Sequence, residues 1–328
     1  MNQRVLGVAI AAAGIITMIL ITPYDLPLIT FLSEYQSVWF VELMSESLFE
    51  LEKPGGGDII VVFLSICFLL YCASSIIDYN CGSSRLFGRL QGWLLGKPGW
   101  SDTLRRHRLR LEFLVVSSFC CSTLMVKSLK WIMARPRPKK FFWGTRPFNE
   151  WYEIGPYFLD EGPYRASFPS GHTASAITLM GLAYVLMYTY TDTRRRSAGI
   201  VLMFTTLGFA LAMALARVMS VAHWPTDVTF SVFGGWLLIH ILFFYGFQFS
   251  TGRDGAGFFN GDCSPPPPFR GIRLCWYLSL FCLALVGLFI GCRHFFNDRW
   301  PWLILMSAAA LPLLFYSIRK TADEGLFR

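Results

Sequence analysis

An all-α bundle of membrane-spanning helices is the fold this sequence predicts, and three observations predict it. The chain of 328 residues is 54% hydrophobic and only 15% charged, with a mean hydropathy of +0.46, too apolar for a pair of soluble domains. Its apolar residues fall into blocks of roughly 18 to 22, the length a helix needs to cross a hydrocarbon core of about 30 Å. Its positive charges alternate from loop to loop, as they do in polytopic membrane proteins.

Eight blocks are expected to span: Val5 to Thr22, Ile59 to Ile77, Phe113 to Met133, Thr173 to Tyr190, Ala198 to Leu215, Val228 to Gly246, Leu274 to Cys292 and Trp300 to Ile318. Thr22-Pro23-Tyr24 after the first is not a small-residue cleavage site, so that block reads as a retained helix and not a secretory signal. From Phe31 to Leu51, Trp39, Phe40, Leu43, Met44, Leu48 and Phe49 mix with acids, the pattern of a helix lying in the interface, and Pro54-Gly55-Gly56-Gly57 ends it. Ser264 followed by Pro265 to Pro268 is an extended polyproline stretch. It divides the expected architecture into a six-helix core (1–250), a linker (251–273) and an added C-terminal helix pair (274–328).

The net charge of +8 is first a topology signal. Arg85, Arg89, Lys97, Arg105, Arg106, Arg108 and Arg110 fill the second loop, Arg194 to Arg196 the fourth, and Arg253, Arg270 and Arg273 the sixth, which puts these loops in the cytoplasm. Asp25, Glu34, Glu42, Glu46, Glu50 and Glu52 against Lys53 put the first loop on the other side, and both termini inside. Cations sorted by loop do not form a nucleic-acid face; attraction to anionic membrane lipids is the secondary reading. Nine cysteines, an odd number lying mostly in or beside apolar blocks, argue against a disulfide framework.

Three polar clusters interrupt the apolar background, and this topology brings them to one non-cytoplasmic surface. The third span ends in Lys130-Trp-Ile-Met-Ala-Arg-Pro-Arg137-Pro138, the fourth begins after Pro169-Ser170-Gly171-His172, and the fifth exits through Arg217 towards His223 and Asp227. Lys130 and Arg137 stand about two helical turns apart, able to share a face, and would cost several kcal/mol in lipid without an anionic partner. Ser170, Gly171 and His172 open a helix whose free N–H groups favour an anion. His223 and Asp227 are one turn apart, so the carboxylate can accept the imidazole N–H and fix its tautomer. Arg217 adds a forked donor for phosphoryl oxygens.

These residues resemble the type 2 phosphatidic acid phosphatase (PAP2) superfamily, with signatures KxxxxxxRP, PSGH and SRxxxxxHxxxD. They correspond to Lys130 with Arg137-Pro138, Pro169 to His172, and Arg217, His223 and Asp227; Ala216 stands where the family has serine. The resemblance covers the third to sixth spans. It implies an integral membrane lipid phosphatase in which His223 is the nucleophile that forms a phosphohistidine, His172 the general acid and Asp227 the group that orients His223. Lys130, Arg137, Ser170, Gly171 and Arg217 would hold the phosphate. It also implies no cofactor and no metal, since three basic side chains can neutralise phosphate directly.

The expected substrate is a lipid-linked phosphomonoester or diphosphate of the undecaprenyl diphosphate, phosphatidylglycerol phosphate, phosphatidic acid or lipid A type. The compact loops fit a bacterial inner membrane with the site on the outer side; an endomembrane with the site on its lumenal side is the alternative. Two rivals remain. A lipid-to-lipid phosphotransferase would share the site. An anion transporter would share the span count, but would have its charges thread the bilayer and has no need of a His–Asp pair. Other residues receive structural readings. Arg135, Lys139 and Lys140 are expected to snorkel to the headgroups, Lys127 either to do so or to face the site, and His240 to pack between helices. His107 and His294 are given no role. Trp143, Trp151 and Tyr152 are expected in the interfacial belt, with Trp151, Asp160, Glu161 and Arg165 shaping a lipid entrance.

Overall fold

The computed structural model describes residues 2–35, 37–47, 58–79, 92–93, 99–153, 166–249, 266–296 and 301–327, and among these the regular structure is entirely helical. Asn2 opens α1 (Gln3–Ile21) by accepting the Arg4 N–H. Pro23 interrupts it with one 3-10 turn, Thr22–Tyr24. The helix does not stop there: α2 (Asp25–Glu34) follows at once, giving an apolar segment of 32 residues, Gln3–Glu34. The short α3 (Val38–Val41) and a π-helical turn, Glu42–Ser47, come next. The remainder of the expected interfacial helix, to Leu51, and the Pro54 to Gly57 breaker lie outside the described residues, as do Lys53, Glu50 and Glu52.

Asp58 caps α4 (Ile59–Asp78) through the Val61 N–H at 2.9 Å. The third span is longer than its apolar block: α5 (Trp100–Ser118) runs through a π-helical stretch, Phe119–Met125, into α6 (Val126–Met133). Arg105, Arg106, Arg108 and Arg110 therefore stand on a helix and not in a loop. Arg108 is buried and its Nη2 lies 2.5 Å from Asp78, Arg105 Nε lies 2.7 Å from the same carboxylate, and Arg110 Nε donates to Thr189 at 2.9 Å. Helix propensity and these partners extend the helix past its last apolar residue. Arg85, Arg89, Lys97 and Arg253 fall outside the described residues.

Among the described residues, seven helices are long and apolar enough to cross a membrane. The remaining expected span, Thr173 to Tyr190, is split into α8 (Gly171–Ile177) and α9 (Met180–Tyr188), after a short α7 (Pro138–Phe142). Thr178 causes the break: its hydroxyl back-bonds to the Ser175 carbonyl at 2.6 Å, and i→i+3 bonds such as Gly181 N–H to Thr178 O at 3.0 Å tighten the turn. The chain continues as α10 (Thr193–Met219) and α11 (Pro225–Ile241), which ends in a π-helical turn, Leu242–Gly246. The last pair is α12 (Arg270–Phe296) and α13 (Ile304–Asp323).

Large apolar side chains such as Leu20, Phe204, Leu211, Leu305 and Phe315 point outwards, the arrangement expected where hydrocarbon is the solvent. Inside, α11 lies against α8 so closely that a methyl group on Gly235 would come within 2.6 Å of Ile177 Cγ2. The C-terminal pair is bonded to the core helices through α12. Arg270 Nε reaches the buried Glu112 at 2.6 Å and the Gly271 N–H donates to Tyr71 at 2.7 Å, both across to the core. The seven cysteines among the described residues are free thiols.

Candidate active site

The site is built where α6, α8, α10 and α11 end or begin. Helix α6 ends earlier than its sequence suggests. Ala134 takes a left-handed conformation (φ 48°) and its N–H closes on the Lys130 carbonyl, because Pro136 disfavours a helical Arg135. Lys130 and Arg137 are thus not two turns apart on one helix. Lys130 is on the last turn of α6, and Arg137 is the extended residue that precedes α7. The turn still gathers the charges: Lys130 lies within electrostatic reach of Arg137, Arg217 and Asp227.

Arg217, buried, sits on the last turn of α10. The chain then reverses through Ser220 and Val221, and the Ala222 and His223 N–H groups both return to the Arg217 carbonyl, at 3.1 and 3.3 Å. Val221 has φ 56°, a conformation that costs a β-branched residue about 1–3 kcal/mol. The reversal ties the His223 backbone to that of Arg217 and leaves the ring within electrostatic reach of the guanidinium. On the facing segment, Ser170 and Gly171 start α8 and bring His172 within electrostatic reach of Arg217, His223, Lys130 and Arg137. The Ser170 N–H donates to the Asp227 carbonyl at 3.4 Å and its hydroxyl accepts from Thr173 at 3.0 Å. Gly171 is not required by crowding within the protein, since a Cβ there would meet only Val126 at 3.6 Å.

His223 departs from the expectation in an instructive way. Its Nδ1 is 2.8 Å from the Ser167 carbonyl and 3.7 Å from Asp227 Oδ2. A carbonyl can only accept, so Nδ1 carries the proton and Nε2 keeps its lone pair. Tautomer selection falls chiefly to Ser167, with Asp227 as the nearby negative charge. Burial pushes the His223 imidazole down to about 3, Asp227 opposes this, and the Arg217 and Lys130 cations add to it. The ring is therefore neutral at physiological pH.

Asp227 is occupied by a network that sequence reasoning missed. Arg135, expected to snorkel outwards, is 1% exposed. Its guanidinium donates from Nη1 to Asp227 Oδ1 and Thr226 Oγ1, from Nη2 to Asp25 Oδ2 and from Nε to the Asn149 carbonyl, each at 2.8 Å. It lies against the Trp224 ring, whose Nε1 donates to the Pro136 carbonyl at 2.9 Å. Asp227 Oδ2 accepts from the Trp224 N–H at 2.9 Å and from the Ser167 hydroxyl. Asp25, read as a loop charge that reports topology, is buried too: Oδ1 accepts the Thr226 N–H at 2.8 Å and Oδ2 the Thr226 hydroxyl at 2.5 Å. The available signal was an acid inside what proved to be one continuous apolar helix segment.

The remaining readings divide. Lys139 is exposed, as snorkelling requires, and His240 packs between helices with Tyr184 OH at 3.1 Å and the Gln3 carbonyl at 3.1 Å. Lys127 does not join the cluster; it lines an apolar groove of about 350 Å³ beside Trp131, Cys282 and Val286. Trp143 and Tyr152 are exposed. Trp151 is instead half-buried, donating from Nε1 to Thr22 at 2.9 Å and stacking on Phe168, so it ties the outer loop to the first helix. Asp160, Glu161 and Arg165 lie outside the described residues. Among the described residues no three His, Cys, Asp or Glu side chains gather as a metal site would need.

The chain has no significant match among curated proteins or among solved structures. One family model does match, that of the PAP2 superfamily, over residues 111–250. That interval contains Lys130, Arg137, Ser170, Gly171, His172, Arg217, His223 and Asp227, and leaves out Asp25 and the C-terminal helix pair. Residues 111–250 match the PAP2 superfamily, and membership of that superfamily implies a phosphatase or phosphotransferase of the PAP2 type.

Proposed function

We propose that the protein hydrolyses a lipid-linked phosphomonoester or diphosphate through a phosphohistidine at His223. The observation that carries this reading is a neutral imidazole whose Nδ1 is tied to a carbonyl, set among Lys130, Arg137 and Arg217 with a second histidine beside it. Nε2 of His223 attacks phosphorus, the P–O bond to the lipid breaks, and His172 gives its proton to the departing oxygen. The entering phosphate offsets the local positive charge, which lets His172 carry that proton; once the phosphate is bound, the three cations favour releasing it. Water then attacks the phosphohistidine, His172 takes the proton back, and inorganic phosphate leaves. Asp227 stabilises the imidazolium that forms between the two steps, and the cations hold the equatorial oxygens throughout.

Free phosphate release from undecaprenyl diphosphate, phosphatidylglycerol phosphate, phosphatidic acid and lipid A, with His223→Ala as blank, tests this reading. We expect release from at least one lipid, unchanged by EDTA because the cations replace a metal. Loss of activity in EDTA with recovery on adding Mg²⁺ or Zn²⁺ would defeat the metal-free mechanism, and phosphate appearing only on a second lipid would make the protein a phosphotransferase.

The exposed Arg194 to Arg196 at the opposite end of α10 from Arg217 support a site on the non-cytoplasmic face. In a variant lacking the native cysteines, a cysteine at Trp143 should react with an impermeant thiol reagent in intact cells and one at Arg195 should not. The reverse pattern would put the site in the cytoplasm.

A further inference from the structure

We infer that Asp25, on the N-terminal helix and outside the PAP2 domain, is a positioning residue for the reaction at His223. This rests on the phosphohistidine reading above. Asp25 lies 110 residues from Arg135 and 201 from Thr226 in sequence, yet it binds both, and it is 1% exposed. Through Thr226 it holds the first turn of α11. Through Arg135 it holds the residues that hold His223.

The connection can be followed atom by atom. Arg135 Nη1 fixes Asp227 Oδ1, and the Arg135 carbonyl accepts the Ser167 N–H at 2.7 Å. Ser167 in turn donates its hydroxyl to Asp227 and offers its carbonyl to His223 Nδ1. The direction of the His223 Nε2 lone pair therefore depends on where the Arg135 fork sits, and Asp25 supplies one of the two carboxylates between which that fork is held. Planar, two-sided recognition of this kind is specific to a guanidinium.

Asp25 also acts through charge. With two carboxylates against one guanidinium, Asp227 keeps part of its negative charge for the imidazolium that forms at His223. Neutralising Asp25 leaves Arg135 to Asp227 alone, which weakens that stabilisation. Both effects act on the chemical step. The hydrogen bonds of this network run from Asp25 through Arg135 and Thr226 to Asp227, Ser167 and His223.

The test separates the rate of the step from phosphate affinity. Asp25→Asn in the full-length protein should lower kcat about 30-fold, the scale of a small misplacement of a reacting atom, while the inhibition constant of inorganic phosphate stays within about 2-fold. An unchanged kcat, or kcat and phosphate affinity lost together, would overturn the inference. If Asp25→Asn does not fold, Thr226→Ala removes one of the links and keeps every charge, and it should lower kcat about 10-fold with phosphate inhibition again unchanged; a wild-type rate would overturn the inference equally. The wild type and His223→Ala are run beside these. A wild type that releases no phosphate above His223→Ala refutes the functional reading itself, whereas an active wild type with an equally active Asp25→Asn refutes only the role given to Asp25.

Discussion

His223→Ala should abolish turnover of every substrate, by at least about 10⁴-fold, because it removes the atom that bonds to phosphorus. His172→Ala should behave differently. It removes a proton donor, a loss of about 10²–10⁴-fold when the leaving group is a lipid alkoxide, and an aryl phosphate, whose leaving group needs no proton, should rescue it in part, up to the rate at which the intermediate is hydrolysed without His172. The asymmetry follows from the surroundings of the two rings. His223 is buried, held by Ser167 and beside Asp227, whereas His172 is only partly buried and sits among Arg217, Lys130 and Arg137. Steady-state kinetics with one lipid phosphate and one aryl phosphate measure the difference, and recovery of His223→Ala but not of His172→Ala would exchange the two roles.

Arg135→Ala should be among the most damaging substitutions in the protein for stability. The side chains of Arg135, Asp25 and Asp227 are wholly buried, and removing the arginine leaves two buried carboxylates facing each other with no cation between them. Breaking a buried ion pair by deleting one partner costs about 3–5 kcal/mol, and here two pairs are broken at once. Arg135→Lys should rescue little, because an ammonium cannot bridge both carboxylates, Thr226 and the Asn149 carbonyl from one plane. Thermal unfolding in detergent reads the effect. A midpoint for Arg135→Ala equal to that of the wild type would contradict the account of this network.

Hydropathy made the spans legible, because a stretch of some 20 apolar residues has few other uses. It located their ends poorly. The third helix begins at Trp100 rather than Phe113, since arginines with buried partners are as helical as leucines and only the fold reveals the partners. The fourth span reads as one apolar run, yet the Thr178 hydroxyl breaks it.

The residues of the candidate site were legible as a group where fixed spacing links them, as in Lys130 with Arg137 and His223 with Asp227. Spacing misled on local geometry, however: left-handed Ala134 takes Arg137 off the helix that carries Lys130. Asp25 and Arg135 were misread for one reason. A charge near the end of an apolar block is ordinarily a loop or headgroup charge, and nothing local to Pro23-Tyr24-Asp25 or Ala134-Arg135-Pro136 reports that the two segments meet. Ser167 left no signal at all, because it acts on His223 through a backbone carbonyl that any residue would provide.

The central claim, that phosphate passes through His223, is tested most directly by rapid quench of the wild-type protein with lipid carrying labelled phosphate. The account predicts an acid-labile, base-stable label on the peptide that contains His223, formed within the first turnover, absent from His223→Ala and accumulating in His172→Ala with an aryl phosphate, where attack proceeds but hydrolysis of the intermediate is slowed. Label on the peptide containing His172, or full turnover with no covalent label at any time, would contradict it.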